Sequence, residues 1–238
     1  MRLVAAIIRD ACFPVVCCSC MDPVDTEGLC PKCWSMIRWI TNPRCCVCGV
    51  PFEFEVADGM LCPSCLRKKP HFDRAIAAFE YDDFSRNLIL KFKHLDVTLM
   101  AKKLAGWIYA AAAAEFRNAD LIIPTPMHFF RRLMRRYNQS ELLALELKKL
   151  SGLEYEPRIL RKIRRTPRQE GLSRAQRLKN VRGSFGLDEK YVSKICGRRV
   201  ILVDDVLTTG STANECAKLL KKHGAAWVSV VTAARVDI

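Results

Sequence analysis

The stretch that decides the fold of this 238-residue chain runs from Arg199 to Thr212 and reads RVILVDDVLTTGST. It opens on an apolar run, which predicts a buried strand of a parallel sheet. Two adjacent carboxylates, Asp204 and Asp205, follow, and a hydroxyl-rich loop around Gly210 then leads into a helix. Such a loop aims backbone N–H groups, hydroxyls and a helix N-terminus at one point. The stretch therefore predicts an anion site suited to a phosphate monoester.

The paired carboxylates need a role of their own, because they would repel a phosphate. They can accept hydrogen bonds from the vicinal hydroxyls of a sugar, or approach a divalent cation. A plain strand–turn–helix corner with helix caps would explain Ser211 or Thr212, but not two charged residues in tandem. We interpret the loop as a site for a phosphorylated sugar, formed by Asp204, Asp205, Thr208, Thr209, Gly210, Ser211 and Thr212.

Predicted strands and helices alternate on both sides of this loop. Apolar runs predict strands at Arg74–Tyr81, Asp120–Ile123, Val200–Val203 and Trp227–Thr232, and helical spacing predicts helices at Leu88–Ala114, Asn138–Leu150 and Ser211–His223. This alternation predicts an α/β domain with a parallel sheet and helices on both faces. Of the 13 cysteines, 11 precede residue 66. We therefore place a small Cys-rich domain at residues 1–70 and the α/β domain at residues 71–238.

The Cys-rich domain contains four C-x-x-C pairs, namely Cys17/Cys20, Cys30/Cys33, Cys45/Cys48 and Cys62/Cys65. This spacing lets a tight turn aim both thiolates at one tetrahedral Zn²⁺, and Gly49 suits the positive-φ residue that ends such a turn. The pairs make two closed and hence structural Cys₄ sites. Sequential pairing gives two small zinc ribbons, while a crossed pairing stays open. The alternatives are buried thiols without metal or a redox motif, which needs one pair at a helix start rather than four in turns.

No export signal is expected in this chain. The apolar run Leu3–Ile8 is short and is followed by Arg9 and Asp10, and no apolar run approaches the ~20 residues of a membrane span. Metal ligation therefore explains the cysteines better than a disulfide framework does. Five cysteines stay outside the four pairs: Cys12, Cys18, Cys46, Cys196 and Cys216.

The chain carries a formal net charge of +14, and much of it comes from one stretch. Residues 131–199 hold 20 of the 39 Lys and Arg but only 7 of the 25 Asp and Glu. This excess indicates a polyanionic partner, either a phosphorylated small molecule or a nucleic acid. Within it, residues 160–185 predict a mobile lid over an anionic site or a basic arm for single-stranded nucleic acid. For the arginines that follow His128, the alternative to binding a polyanion is a solvated helix face. His128 itself is expected to be a surface or capping residue.

Residues 200–212 resemble the 5-phosphoribosyl-1-pyrophosphate (PRPP) motif of the type I phosphoribosyltransferases, in which the acidic pair holds the ribose 2′- and 3′-hydroxyls and the loop holds the 5′-phosphate. The chain as a whole resembles the ComF family, which are competence-associated phosphoribosyltransferase-like proteins with an N-terminal double zinc ribbon. The residues that carry this resemblance are Phe13-Pro14, the four knuckles, Phe79–Tyr81, Leu88–Lys93, Pro124–Gln139, Thr166–Leu172 with Arg177 and Asn180-Val181, and Val203–Thr212. One departure is Arg136-Tyr137, where the family usually has Gly and Phe.

The resemblance implies attack at C1 of PRPP, with pyrophosphate leaving, Mg²⁺ bound to the pyrophosphate and ribose, and Asp204 and Asp205 as the catalytic pair. It also implies pyrophosphate-side residues Thr125, Pro126, Arg131, Arg136, Asn138 and Gln139, and a flexible loop with Arg165, Thr166, Gln169 and Arg177. Many purine-salvage enzymes of this fold have an Asp at the position of Thr208, so a purine-salvage role is disfavoured. The family further implies a cytoplasmic protein.

Three functions are compatible with these features. The first is a PRPP-dependent phosphoribosyltransferase whose acceptor the sequence does not name. The second is a protein that handles single-stranded DNA during uptake, as some ComF relatives do, with the PRPP site regulatory or vestigial. In the third, the zinc ribbons dock onto other competence proteins.

Overall fold

The computed structural model describes residues 15–94, 97–127, 137–164, 176 and 181–236. The strands are β1 (Arg74–Glu80), β2 (Leu121–Pro124), β3 (Glu154–Tyr155), β4 (Leu160–Lys162), β5 (Phe185–Leu187), β6 (Arg199–Leu207) and β7 (Trp227–Arg235). The helices are α1 (Pro31–Ser35), α2 (Pro63–Arg67), α3 (Asp83–His94), α4 (Val97–Ala111), α5 (Ala113–Arg117), α6 (Gln139–Ser151) and α7 (Ser211–Lys222). A 3₁₀-helix spans Glu189–Lys194.

Five strands form one sheet in the order β1-β7-β6-β2-β3, and every neighbouring pair is parallel. The predicted parallel sheet is therefore confirmed. Strand β6 is longer than expected, because β7 pairs with it as far as Leu207 opposite Arg235. Asp204 and Asp205 consequently lie inside a hydrogen-bonded strand near the carboxyl edge of the sheet, rather than beyond its end.

Two buried clusters cover the two faces of the sheet. Helices α3, α4 and α6 cover one face, where Phe79, Leu104 and Leu147 are fully buried. Helix α7 covers the other face together with the antiparallel hairpin of β4 and β5, and Phe185 and Leu220 belong to that core. The predicted layering, with helices on both faces, is confirmed.

The single helix predicted at Leu88–Ala114 is instead the series α3, α4 and α5. The chain leaves helical geometry at Ala112, where φ is −111° and ψ is 19°. This break lets the Phe116 ring pack 5.0 Å from the Tyr109 ring, and brings Glu115 within 2.9 Å of Arg74. Among the described residues, no helix combines the length and the apolar character that crossing a membrane requires.

Residues 38–47 run along β1 and cover the edge of the sheet. The Ile40 amide donates to the Ala78 carbonyl at 3.0 Å, and the Ala75 amide donates to the Val47 carbonyl at 2.7 Å. Since an uncovered edge strand exposes unpaired backbone groups, these bonds both protect β1 and fix the Cys-rich segment against the sheet.

Candidate functional site

Asp204 lies at the centre of a hydrogen-bond network at the carboxyl edge of the sheet. Its Oδ1 accepts from the Thr125 hydroxyl at 2.8 Å, the Ser140 hydroxyl at 2.9 Å and the Asp205 amide at 3.0 Å. Thr125 follows β2 and Ser140 lies in the first turn of α6. Because β2 and β6 are parallel neighbours, their carboxyl ends bring these groups together.

Burial, together with the neighbouring charge of Asp205, raises the pKa of Asp204 to about 6. The hydroxyls of Thr125 and Ser140 act in the opposite direction, because they stabilise the carboxylate. The Asp204 carboxylate is thus held mostly ionised at neutral pH in a costly position. A carboxylate that stays ionised although burial disfavours its charge is typical of a binding site.

Helix α7 begins at the predicted phosphate loop. Its N-cap is Gly210, which has φ +70° and offers no side-chain cap. The hydroxyls of Thr209 and Ser211 are 2.7 Å apart, and Ser211 is buried. The expected capping alternative, in which Ser211 or Thr212 is merely the helix cap, does not describe this turn. A glycine cap itself supplies no side-chain acceptor at the start of the helix, which suits an anion there.

The segment that precedes α6 joins the same network. Asn138 caps α6 by accepting from the Ser140 amide at 3.1 Å, and its amide nitrogen donates to the Thr125 carbonyl at 3.0 Å. Gln139 is buried, and its Nε2 has no hydrogen-bond partner. The structure therefore brings Thr125 to the Asp204 side chain and links Asn138 to it through Thr125 and Ser140. Gln139 lies between Asn138 and Ser140 in the chain, and Pro126 follows Thr125.

Several predicted site residues lie outside the described residues. They are Arg131 and Arg136 on the pyrophosphate side, with His128 nearby, and all four flexible-loop residues, Arg165, Thr166, Gln169 and Arg177. The described ends of the flexible-loop segment are held by the β4–β5 hairpin, where the Ile163 amide donates to the Ser184 carbonyl at 2.9 Å. Since this hairpin packs against α7, the described residues on either side of that segment lie near the helix that starts at the predicted phosphate loop.

The eight predicted zinc ligands form two sets, which pair the knuckles sequentially rather than crosswise. One set is Cys17, Cys20, Cys30 and Cys33, the other is Cys45, Cys48, Cys62 and Cys65, and within each set the sulfurs lie within 4.8 Å of one another. Backbone amides point at the sulfurs, among them Cys30 N to Cys17 Sγ at 3.2 Å and Cys62 N to Cys45 Sγ at 3.3 Å. Four thiolates in a closed set with amide donors suit one structural Zn²⁺ each.

The two sets differ in burial. All four cysteines of the second set are buried, whereas Cys20 of the first set is exposed and Cys30 is partly exposed. Of the described remaining cysteines, Cys18 is partly buried and its pKa rises to about 11 through burial. Cys46 donates to the Gly59 carbonyl at 3.0 Å, Cys196 is exposed and Cys216 is buried. None of these joins either set.

Two residues at these sites were missed by the sequence analysis. Ser140 bonds to Asp204, and its place directly after Asn138-Gln139 at a helix start was the available signal. Arg235, the last residue of β7, lies beside Cys48, with its Nη1 donating to the Cys48 carbonyl at 2.6 Å. No short-range pattern could have indicated that contact, because the two residues are 187 positions apart.

Family models match both parts of the chain. A double zinc ribbon domain matches residues 8–66, and a phosphoribosyl transferase domain matches residues 143–237. The first match agrees with the two Cys₄ sets. The second covers β6, the phosphate loop and α7.

Curated relatives extend over most of the chain. Competence protein F of Haemophilus influenzae is 34% identical over 88% of this chain and 91% of its own length. DNA utilization protein YhgH of Salmonella typhimurium is 29% identical over 91% of this chain and 95% of its own length. Among solved structures, adenine phosphoribosyltransferase from Thermoanaerobacter pseudethanolicus is 18% identical, with a TM-score of 0.36 over 65% of this chain and 87% of that one.

Proposed function

Because this chain belongs to the competence protein F (ComF) family, with a double zinc ribbon and a phosphoribosyltransferase domain, we propose that it binds PRPP at the carboxyl edge of its sheet and transfers the phosphoribosyl group to an acceptor, releasing pyrophosphate. One observation carries the proposal. Two carboxylates near the end of β6 are followed by a hydroxyl-rich loop that leads into a glycine-capped helix. A sugar phosphate needs acceptors for its hydroxyls and donors for its phosphate, and the loop supplies both.

The ribose and the 5′-phosphate have separate partners in this proposal. Asp204 and Asp205 accept hydrogen bonds from the ribose hydroxyls. Asp204 is already held by Thr125 and Ser140, so its orientation is fixed before the ligand arrives. The phosphate is held by the N-terminus of α7 and by the loop formed by Thr208, Thr209, Gly210, Ser211 and Thr212.

The pyrophosphate lies against the segment between β2 and α6. The residues proposed there are Thr125, Pro126, Arg131, Arg136, Asn138 and Gln139. The buried Gln139 Nε2 is a donor without a partner, so a ligand oxygen would satisfy it. The segment with Arg165, Thr166, Gln169 and Arg177 is proposed to close over the ligand, since the described residues that flank it in the chain pack in the same core as α7.

The reaction proceeds by attack of the acceptor nucleophile at C1 of the ribose. The bond from C1 to the pyrophosphate oxygen breaks, and its electron pair leaves with pyrophosphate. Mg²⁺ bound to PRPP as part of the substrate would supply neutralising charge on the leaving pyrophosphate. The chain itself contributes orientation of the ribose through the acidic pair and donors for the leaving oxygens, and hence mainly positioning and charge stabilisation.

Calorimetry with PRPP and Mg²⁺ tests the binding step. The zinc-containing chain should bind PRPP, and the double variant D204N/D205N should lose at least about 10-fold in affinity, because two charge-assisted hydrogen bonds are replaced by neutral ones. The matched control is D25N/D58N, which also removes two carboxylates, both exposed. Absence of binding by the unaltered chain, or equal binding by both double variants, would refute the proposal.

A second candidate function is the handling of single-stranded DNA, which the basic excess of residues 131–199 and the names of the relatives favour. In the described part of that stretch, Arg161 and Arg164 on the β4–β5 hairpin and the neighbouring Arg182 are exposed. If this function holds, affinity for single-stranded DNA falls steeply with salt, by about 0.7 in log–log slope per phosphate contact. D204N/D205N should then lose PRPP binding but keep DNA binding. A flat salt response would exclude this function.

A further inference from the structure

The second Cys₄ set shares its surroundings with the phosphate loop. Its four cysteines belong to the same buried cluster as Leu207, which directly precedes the loop, and Ala213 in the first turn of α7. Phe72 belongs to the same cluster, and its ring carbons are 3.8 and 4.0 Å from the place where a Cβ on Gly210 would be. The metal centre and the loop therefore rest on one continuous core.

Hydrogen bonds between backbone amides and side chains tie residues 71–73 to the sheet and to α7. The His71 amide donates to the Asn214 side-chain oxygen at 2.7 Å. Asp73 accepts from the Val228 amide at 2.7 Å, at the start of β7. The chain that leaves the last knuckle is thus fixed to the helix that follows the phosphate loop and to the strand next to β6.

Arg235, the last residue of β7, connects the sheet to the second Cys₄ set. It is only 6% exposed. Its Nη1 donates to the Cys48 carbonyl at 2.6 Å, its Nη2 lies 3.6 Å from Cys48 Sγ, and its Nε has no partner. Among the described residues, no carboxylate forms an ion pair with Arg235. A buried guanidinium is costly unless fixed acceptors surround it, and here Cys48 supplies the acceptors.

The backbone of Arg235 reaches the loop directly. Arg235 pairs with Leu207 across β7 and β6, and the amide of the next residue, Val236, donates to the Leu207 carbonyl at 3.0 Å. Displacement of Arg235 would therefore loosen the residue from which the loop starts. The first Cys₄ set has a different arrangement, since Cys20 is exposed and contacts Asp22 rather than an arginine.

We propose that Arg235 is a positioning residue through which the second Cys₄ site holds the phosphate loop in its binding shape. Metal bound by the four sulfurs fixes the 45–48 knuckle, and the knuckle fixes the acceptors of Arg235. Loss of that metal frees Cys48, leaves a buried guanidinium without fixed acceptors, and releases the Arg235–Leu207 end of the sheet. The effect on ligand affinity rests on the proposed PRPP binding, whereas the effect on the loop itself does not.

The test uses the full chain with zinc bound, and compares Arg235→Gln and Arg235→Lys with the matched control Arg199→Gln. Arg199 is the first residue of β6 and so lies at the amino end of the strands, whereas Arg235 lies at their carboxyl end. The Arg199 guanidinium stacks over the Trp227 ring at 4.9 Å. Three quantities are measured: the rate at which a chelator removes each zinc, amide hydrogen exchange of residues 207–211, and PRPP affinity by calorimetry.

We expect Arg235→Gln to release one of the two zinc ions about 10-fold faster, as loss of an outer partner of a metal ligand typically does. Exchange at residues 207–211 should quicken, and PRPP affinity should fall about 5-fold or more. Arg235→Lys should be intermediate in all three, and Arg199→Gln should resemble the unaltered chain. The proposal is overturned if zinc release from Arg235→Gln is unchanged, or if release quickens while exchange at the loop does not.

The two proposals fail in different ways. If the unaltered chain does not bind PRPP, the proposed function fails, and zinc release and hydrogen exchange still decide the role of Arg235. If Arg235→Gln does not fold, stepwise chelation of the unaltered chain replaces it, with N-ethylmaleimide mapping of the cysteines to show which set has opened. Faster exchange at residues 207–211 on opening of the second set, but not the first, supports the coupling. Unchanged exchange refutes it.

Discussion

Gly49 and Ala75 approach each other so closely that an ideal Cβ on the glycine would lie 2.4 Å from the alanine carbonyl oxygen. The contact lies where the second zinc ribbon meets the edge strand of the sheet, and the Ala75 amide bonds to Val47 beside it. Gly49 also has φ +71°. Both its missing side chain and its left-handed backbone are therefore required for this ribbon to lie against β1.

We predict that Gly49→Ala destabilises the zinc-bound chain by about 2–5 kcal/mol in urea unfolding. Left-handed strain costs about 1–2 kcal/mol, and displacing a backbone carbonyl costs about 1–3 kcal/mol more. Gly59→Ala is the matched control, because Gly59 has φ +80° but no atom within 4 Å of its added Cβ. Gly59→Ala should therefore be destabilised only by the left-handed backbone strain. Equal losses in the two variants would show that the close approach to Ala75 has no energetic weight.

The raised pKa of Asp204 predicts a variant that gains stability while losing ligand binding. The pKa is about 6 in the fold against 3.8 in the unfolded chain. Since the fold disfavours the ionised form, stability falls as the pH rises from about 4 to about 6 and stays lower above that. Asp204→Asn avoids this cost, and should be more stable than the unaltered chain by up to about 3 kcal/mol at pH 7.5.

Urea unfolding at two pH values tests whether Asp204→Asn gains stability in this way. At pH 4.5 the advantage of Asp204→Asn should shrink to about 1 kcal/mol, because the carboxyl is then mostly protonated in the fold. Asp58→Asn, at an exposed position, should change stability little at either pH. An advantage that is absent at pH 7.5, or that is no larger there than at pH 4.5, would contradict the assigned direction.

Glu156 has the opposite pH dependence. Its buried carboxylate accepts from Arg158 at 2.8 and 3.1 Å and from Lys194 at 3.0 Å, and these partners lower its pKa from 4.5 to about 2. Its contribution to stability is complete above pH 4.5 and is lost as the pH falls toward 2. We predict that Glu156→Gln costs about 2–3 kcal/mol at pH 7 and clearly less at pH 3, measured by urea unfolding.

The matched control for Glu156 is Glu146→Gln on α6. Glu146 makes one ion pair with Lys149 at 2.6 Å, and that lysine is largely exposed. Exposed pairs of this kind contribute only about 0.3–0.5 kcal/mol. A loss at Glu156 that is the same at pH 3 and pH 7 would mean that packing, rather than charge, accounts for its effect.

Short-range patterns were sufficient for much of this molecule. The apolar runs predicted four of the five sheet strands, and the two-residue cysteine spacing predicted both metal sets, because each is a property of neighbouring residues. The crossed pairing of knuckles could be excluded only by the structure. Strand β3 was missed since Glu154–Tyr155 is too short for a periodic signal.

Contacts between distant residues could not be predicted in the same way. Strands β6 and β7 extend past their apolar runs because each supplies the hydrogen-bond partners of the other. Ser140 and Asp204 are 64 positions apart, and Cys48 and Arg235 are 187 apart. In each case a polar residue acquires its role only when the fold places a specific partner beside it, and no local pattern encodes that partner.

The different burial of the two Cys₄ sets predicts the order in which they open. We expect each chain to bind two zinc ions. In the presence of a chelator, N-ethylmaleimide should modify Cys20 and Cys30 about 10-fold faster than any cysteine of the second set. The reason is that the second set is buried and requires a larger local opening. Peptide mapping by mass spectrometry measures the rate at each cysteine.

Two unliganded cysteines provide the controls for this order. Cys196 is exposed and should react at once with or without chelator, whereas Cys216 is fully buried and should react only on global unfolding. The second set should therefore react between the first set and Cys216. If both sets react at one common rate, the ribbons open as a single unit, and the separation of an accessible site from one built into the core of the sheet is wrong. If the second set keeps pace with Cys216 instead, its metal is released only when the whole domain unfolds.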